Sequence, residues 1–193
     1  TSVLIGLVQN TKLPFGYGPC IANAGVGSTS ILTNPGWADD GTGLYRTRAV
    51  RVANEFRVIP ETYAAMALCF QGFEGDVTLN SPTYTANIVA LVEDMREAMG
   101  DVNVPLLIGG FSPAYLTGGP AADANTIRID SVNEIIAEST PGHIGAFASS
   151  MLPTPLEYQS GSPQWIHFTA AGYRALAARY ADAYISLFSR AEP

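Results

Sequence analysis

Apolar residues fall in runs of strand length at 3–8, 20–24, 64–70, 106–110 and 143–148, and most of the intervening stretches repeat their apolar positions three and four apart. A short continuous apolar run suits a strand covered on both faces, whereas the three-and-four spacing lays one apolar stripe along a helix. Their alternation predicts an α/β fold with a parallel sheet, because parallel neighbours need crossover connections. The clearest helix is 84–99, where Ile88, Leu91, Val92, Met95 and Met99 share a face and Gly100 supplies the stop. Residues 44–56 and 124–138 read as helices too, the latter with Ile127, Ile135 and Ile136 on one stripe. The last helix, 169–188, lines up Tyr173, Leu176, Ala177, Tyr180, Tyr184 and Leu187, with Thr169 as N-cap. Gly, Pro, Asn and Asp gather at 33–43, 72–83, 110–125 and 153–163, which marks these as loops.

Length and composition narrow this to one domain over 1–193. With 193 residues, 47% hydrophobic and 14% charged, the chain can bury a full core. A formal charge of −7, with its 10 Lys plus Arg scattered rather than striped, argues against nucleic acid and anionic membrane as partners. A neutral ligand such as a sugar is easier to reconcile. No apolar run approaches the roughly 20 residues that span a bilayer, and the opening TSVLIGLVQN lacks the basic region of a signal peptide. A soluble protein is expected; the compartment stays open, an extracellular or virion-associated place included. Cys20 and Cys69 lie in apolar stretches and are expected to be buried free thiols.

In an open parallel sheet, ligands bind beyond the carboxyl ends of the strands. Three segments there carry unusual residues: 23–31 after the second strand, 69–76 after the third, and 164–173 leading into the last helix. Gly27 would let a ligand approach backbone N–H groups, and Gln71 offers an amide donor at a strand end; together they would form an oxyanion hole. His167 is the candidate general base, since His143 opens an apolar strand. Each feature also has a plainer reading: a Gly-Ser-Thr turn shapes backbone, a lone His begins helices, and Glu74 with Asp76 suits a solvated loop.

Taken in order, these segments carry a resemblance. Residues 25–31 followed by Trp37 resemble the GGTSI…W segment of sialate O-acetylesterase-like proteins, with Leu44-Tyr45 opening the next helix. Residues 71–76 are similar to their WxQGExD segment with one residue inserted, and Ile166-His167-Phe168-Thr169 running into Gly172-Tyr173 resembles the catalytic-histidine block. The likeness spans roughly 19–188 and points to the SGNH-hydrolase superfamily, in its sialate O-acetylesterase and acetylxylan-esterase branch. It implies a flavodoxin-like, three-layer αβα sandwich around a central parallel sheet of about five strands. It also implies a carbohydrate O-acetylesterase: a serine attacks an acetyl carbonyl, His167 takes its proton, and backbone near Gly27 with the Gln71 amide holds the oxyanion. Ser28, Trp37, Glu74, Asp76 and Trp165 would surround a glycan or other acetylated substrate. No metal and no organic cofactor is implied.

Two positions depart from that pattern. The family serine follows the first strand in a GQSN-like turn, where this chain has Val8-Gln9-Asn10-Thr11. Asn10 stands at or beside the serine position, and an amide is no nucleophile; Thr11 is the adjacent hydroxyl. In a second register, 2–10 is instead a helix and the nucleophile segment is missing from the chain; the strand reading is preferred because nine residues containing Gly6 make a poor helix. The family's DxxH becomes Gln164-Trp165-Ile166-His167, and Gln164 can fix an imidazole tautomer without stabilising an imidazolium. Glu74, Asp76 and Glu157 are the substitute carboxylates. Two functions therefore follow: an O-acetylesterase whose nucleophile is not identifiable in this chain, or an inactive glycan-binding or structural module of a secreted or viral surface assembly.

Overall fold

The computed structural model describes residues 30–31, 33–38, 40–58, 67–71, 81–114, 145–150, 153–159 and 167–189. The apolar runs at 3–8 and 20–24, the helix expected at 124–138, and Asn10, Thr11, Cys20, Gly27, Ser28, Glu74, Asp76, Gln164 and Trp165 lie outside them.

Among the described residues are strands β1 (Leu68–Phe70), β2 (Leu106–Gly109) and β3 (Gly145–Ala148), and helices α1 (Leu44–Val58), α2 (Ser81–Met99) and α3 (Ala170–Ser189). The strands form one parallel sheet in the order β1-β2-β3, with Leu68 opposite Leu106 and Leu106 opposite Gly145. The expectation of α/β architecture with parallel strands at 64–70, 106–110 and 143–148 is met in three described strands.

Strand β2 shows why an unbroken apolar run belongs in the middle of such a sheet: all four of its residues are buried. Successive side chains leave a strand on opposite faces. Accordingly Leu106 and Ile108 join a cluster with Ile88, Leu91 and Val92 of α2 and Ala49 of α1, while Leu107 joins Ala148, Leu176 and Tyr180 in a second cluster with α3. The helices thus flank the sheet on both faces. Burying one such Leu or Ile contributes about 1.5–3 kcal/mol, so β2 alone anchors much of the described core.

The C-terminal end of α2 follows the expected signal, whereas its first residues, Ser81–Thr83, extend back into the stretch expected as a loop. Gly100 takes φ of 73°, a left-handed conformation that costs a residue without Cβ little. Its N–H bonds to the Glu97 carbonyl at 3.0 Å and that of Asp101 to the Arg96 carbonyl at 3.2 Å, the paired bonds of a Schellman stop. Within the loop expected at 33–43, Pro35–Trp37 forms a single 3-10 turn, with the Asn34 side chain accepting from the Gly36 N–H at 2.9 Å. That turn is too short for periodicity to announce it.

Cys69 corrects the expectation of a buried thiol. It is free and its side chain is exposed on β1, although the protein packed about its sulfur desolvates it enough to push the thiol up to about 11. Among the described residues no helix is long and apolar enough to cross a membrane.

Candidate functional site

The carboxyl ends of the strands meet the middle of α3, at Arg179 and Tyr180, through a small set of polar contacts. Gln71 is the residue immediately after β1 and is exposed. Its Nε2 donates to the Gly110 carbonyl at 3.1 Å, and its Oε1 accepts from the Tyr180 hydroxyl at 3.2 Å. The same hydroxyl donates to the Phe70 carbonyl at 2.6 Å. These partners fix which end of the amide is which, because a flipped Gln71 would set its oxygen against the Gly110 carbonyl. An amide carries two N–H groups, and the second Nε2–H of Gln71 has no hydrogen-bond partner among the described residues.

Glycines make room for this arrangement. A Cβ at Gly109 would overlap both Gln71 Oε1 and the Tyr180 hydroxyl, and one at Gly110 would crowd Ser150. Gly110 itself donates to the Ala148 carbonyl at 2.9 Å, carrying the β2–β3 ladder one residue past the strands. Beside it the Ser150 hydroxyl is buried without a hydrogen bond among the described residues. Arg179, next to Tyr180 on α3, donates to the Ser149 and Thr154 carbonyls, each at 2.6 Å, and so ties the chain leaving β3 to the helix.

His167 stands at the entrance of α3. Tyr158 and Phe168 face each other across an antiparallel bridge. The bridge is closed by Gln159 N–H to the His167 carbonyl at 2.8 Å and Thr169 N–H to the Glu157 carbonyl at 3.1 Å. Thr169 caps the helix as its position predicts: its hydroxyl accepts from the Gly172 N–H at 3.0 Å while donating to the Glu157 carboxylate at 3.1 Å. A Cβ at Gly172 would overlap the Glu157 carbonyl, so this glycine lets the bridged segment at Glu157 lie against the first turn of α3. In such a bridge side chains alternate in facing, which puts Glu157, His167 and Thr169 on one face and Tyr158 with the buried Phe168 on the other. The imidazole is exposed and makes no hydrogen bond among the described residues.

Of the residues expected to form the site, the structure therefore locates Gln71, His167 and Trp37. No hydrogen bond joins Gln71 to His167 among the described residues, and the ten residues of helix between Ala170 and Tyr180 span about 15 Å along its axis. Trp37 is 4% exposed and meets Tyr45 edge-on, with ring centroids 5.7 Å apart, so its ring is part of the core. Glu157, one of the substitute carboxylates, is engaged by Thr169. Tyr180 falls on the apolar stripe of the last helix, and nothing local marks its hydroxyl for this site, since its partner lies 109 residues away.

Comparison with known proteins adds one finding. A family model described as carbohydrate esterase, sialic acid-specific acetylesterase, matches residues 19–186. No curated protein and no solved structure matches the chain significantly.

Proposed function

The chain belongs to the sialic acid-specific acetylesterase family of carbohydrate esterases, and from that premise we propose that it hydrolyses O-acetyl esters on sialic acid or related glycans, with Gln71 as an oxyanion donor and His167 as general base. The observation that carries this reading is the Gln71 amide, held at the end of β1 by Gly110 and Tyr180, with one N–H that has no partner among the described residues. A donor fixed before the reaction stabilises the charge that develops on the acetyl oxygen without reorganising as it forms.

In this reading a hydroxyl attacks the acetyl carbonyl carbon and His167 accepts its proton. The oxyanion accepts from Gln71 Nε2–H and from backbone N–H near Gly27, and the sugar alcohol leaves with the proton from His167. Water then releases acetate from the acylated hydroxyl. Thr11, one residue beyond Asn10, is the nucleophile to test first. Ser28, Glu74, Asp76 and Trp165 border the substrate, Gln164 holds the imidazole tautomer, and the whole chain adopts the flavodoxin-like αβα sandwich with a sheet of about five strands.

The substitutions at the family's serine and acid positions, Asn10 and Gln164, favour a second reading, a domain that binds the acetylated glycan without cleaving it. Acetate release from O-acetylated sialic acid and from p-nitrophenyl acetate separates the two, measured for the purified chain beside His167→Ala and Thr11→Ala. The esterase reading expects release well above background and a loss of about 10²–10⁴-fold in His167→Ala, the usual contribution of a general base. Equal inertness of wild type and His167→Ala, together with retention on an acetylated-glycan array, would establish binding instead.

A further inference from the structure

We propose that Tyr180 is a positioning residue that aims the Gln71 amide at the substrate, with Gly109 as the gap through which it reaches; this rests on the esterase reading above.

Four observations carry it. The Tyr180 hydroxyl shares its one proton between the Phe70 carbonyl at 2.6 Å and Gln71 Oε1 at 3.2 Å, so it fixes the last residue of β1 and the side chain that follows through one atom. Gln71 is otherwise exposed, and a glutamine with three rotatable bonds at a strand end would sample several rotamers if Gly110 alone held it. Gly109 has no side chain where any Cβ would displace both the Gln71 amide oxygen and the Tyr180 hydroxyl. The ring of Tyr180 is buried at 4% exposure among Leu107, Ala148 and Leu176, so packing sets the hydroxyl's place before any substrate arrives. Buried tyrosines put the hydroxyl to use when a partner is in reach, and here the partner is the group that the reaction needs oriented. With Oε1 drawn toward α3 and one N–H drawn toward Gly110, the second N–H has one remaining direction.

The test compares the full-length wild type with Tyr180→Phe, Gln71→Ala and the double variant, in kcat and KM for acetate release and in the Gln71 side-chain amide resonances of 15N-labelled protein. Phenylalanine keeps the ring and its packing. Tyr180→Phe is expected to lower kcat about 3–10-fold, the size of effect that one neutral hydrogen bond supports, with KM unchanged. It is also expected to shift the Gln71 amide pair and to have no further effect once Gln71 is alanine. Multiplying effects in the double variant, or an unmoved Gln71 resonance, would overturn the positioning role. An inert wild type overturns the esterase reading instead, and the amide resonance then decides the Tyr180 clamp by itself, a shift upholding it and no shift ending it; a Gln71→Ala variant as active as an active wild type leaves the esterase reading standing and overturns both the oxyanion role of Gln71 and this proposal.

Discussion

At the strand ends, Gln71 has its amide oxygen and one amide hydrogen taken by partners from α3 and from the exit of β2, whereas at the entrance of α3 the backbone of His167 is bonded and its ring, among the described residues, is not. The first region is fixed by contacts between residues far apart in the chain, the second by an antiparallel bridge whose paired residues, Tyr158 and Phe168, are ten apart. An oxyanion donor gains from being immobile before the reaction, since each lost degree of freedom no longer has to be removed as charge forms. In the proposed mechanism the general base must also accept a proton and pass it to a leaving group, with Gln164 as the residue proposed to hold its tautomer. Under that reading preorganisation lies on the oxyanion side.

The sharpest way to test the contrast is to remove each group and follow both rate and stability. His167→Ala should abolish acetate release by about 10²–10⁴-fold while leaving urea unfolding within about 0.5 kcal/mol of wild type, because an exposed ring without hydrogen bonds holds nothing else in place. Gly109→Ala should do the reverse in kind: the added methyl displaces Gln71 and Tyr180 from a packed site, and overpacking of this sort costs about 1–3 kcal/mol in the same unfolding measurement. If Gly109→Ala is as stable as wild type, the strand-end cluster is softer than its contacts imply.

The bridge before α3 responds to a smaller change. Thr169→Ala removes the cap on α3 and the bond to Glu157, and should lower stability by about 1 kcal/mol, readable as a lower urea midpoint with unchanged slope. The smallest effect belongs to β1. Desolvation holds the Cys69 thiol in its neutral form up to about 11, above the ordinary thiol value of 9.0. The folded state therefore holds this proton more tightly than the unfolded chain does. Its contribution to stability is complete below the ordinary thiol pKa and fades as pH rises from there through about 11. Alkylation of Cys69 by iodoacetamide at pH 8, followed by peptide mass mapping, should be on the order of 10–100-fold slower than in the urea-unfolded chain, since the thiolate is the reacting species. Equal rates would mean that the exposed side chain is as well hydrated as its surface area implies.

Much of this molecule was written into short stretches of sequence. The apolar run at 106–110 predicts a strand of a parallel sheet, and β2 is buried at every position. The stripe from Ile88 to Met99 and the glycine that follows set α2 and its stop, because helix periodicity and a left-handed cap act within a few residues. Thr169 was legible as a cap for the same reason. Gln71 and His167 could be proposed from their places after a strand and before a helix.

What no window of sequence could contain is how those groups are held. Tyr180 looked like one more apolar-face aromatic, and its hydroxyl acquired a role only when packing of α3 on the sheet carried it to the end of β1, 110 residues earlier in the chain. Gly109 read as the tail of a strand, and its lack of a side chain matters because Gln71 and Tyr180 converge on the space a Cβ would fill. Trp37, expected beside a substrate, is a core residue once Tyr45 and the 3-10 turn close over it. Local backbone preference and hydrophobic period therefore determined the elements and named the candidate groups. Only tertiary packing decided which of them are oriented, because hydrogen bonds and excluded volume between distant segments depend on where the core brings those segments together.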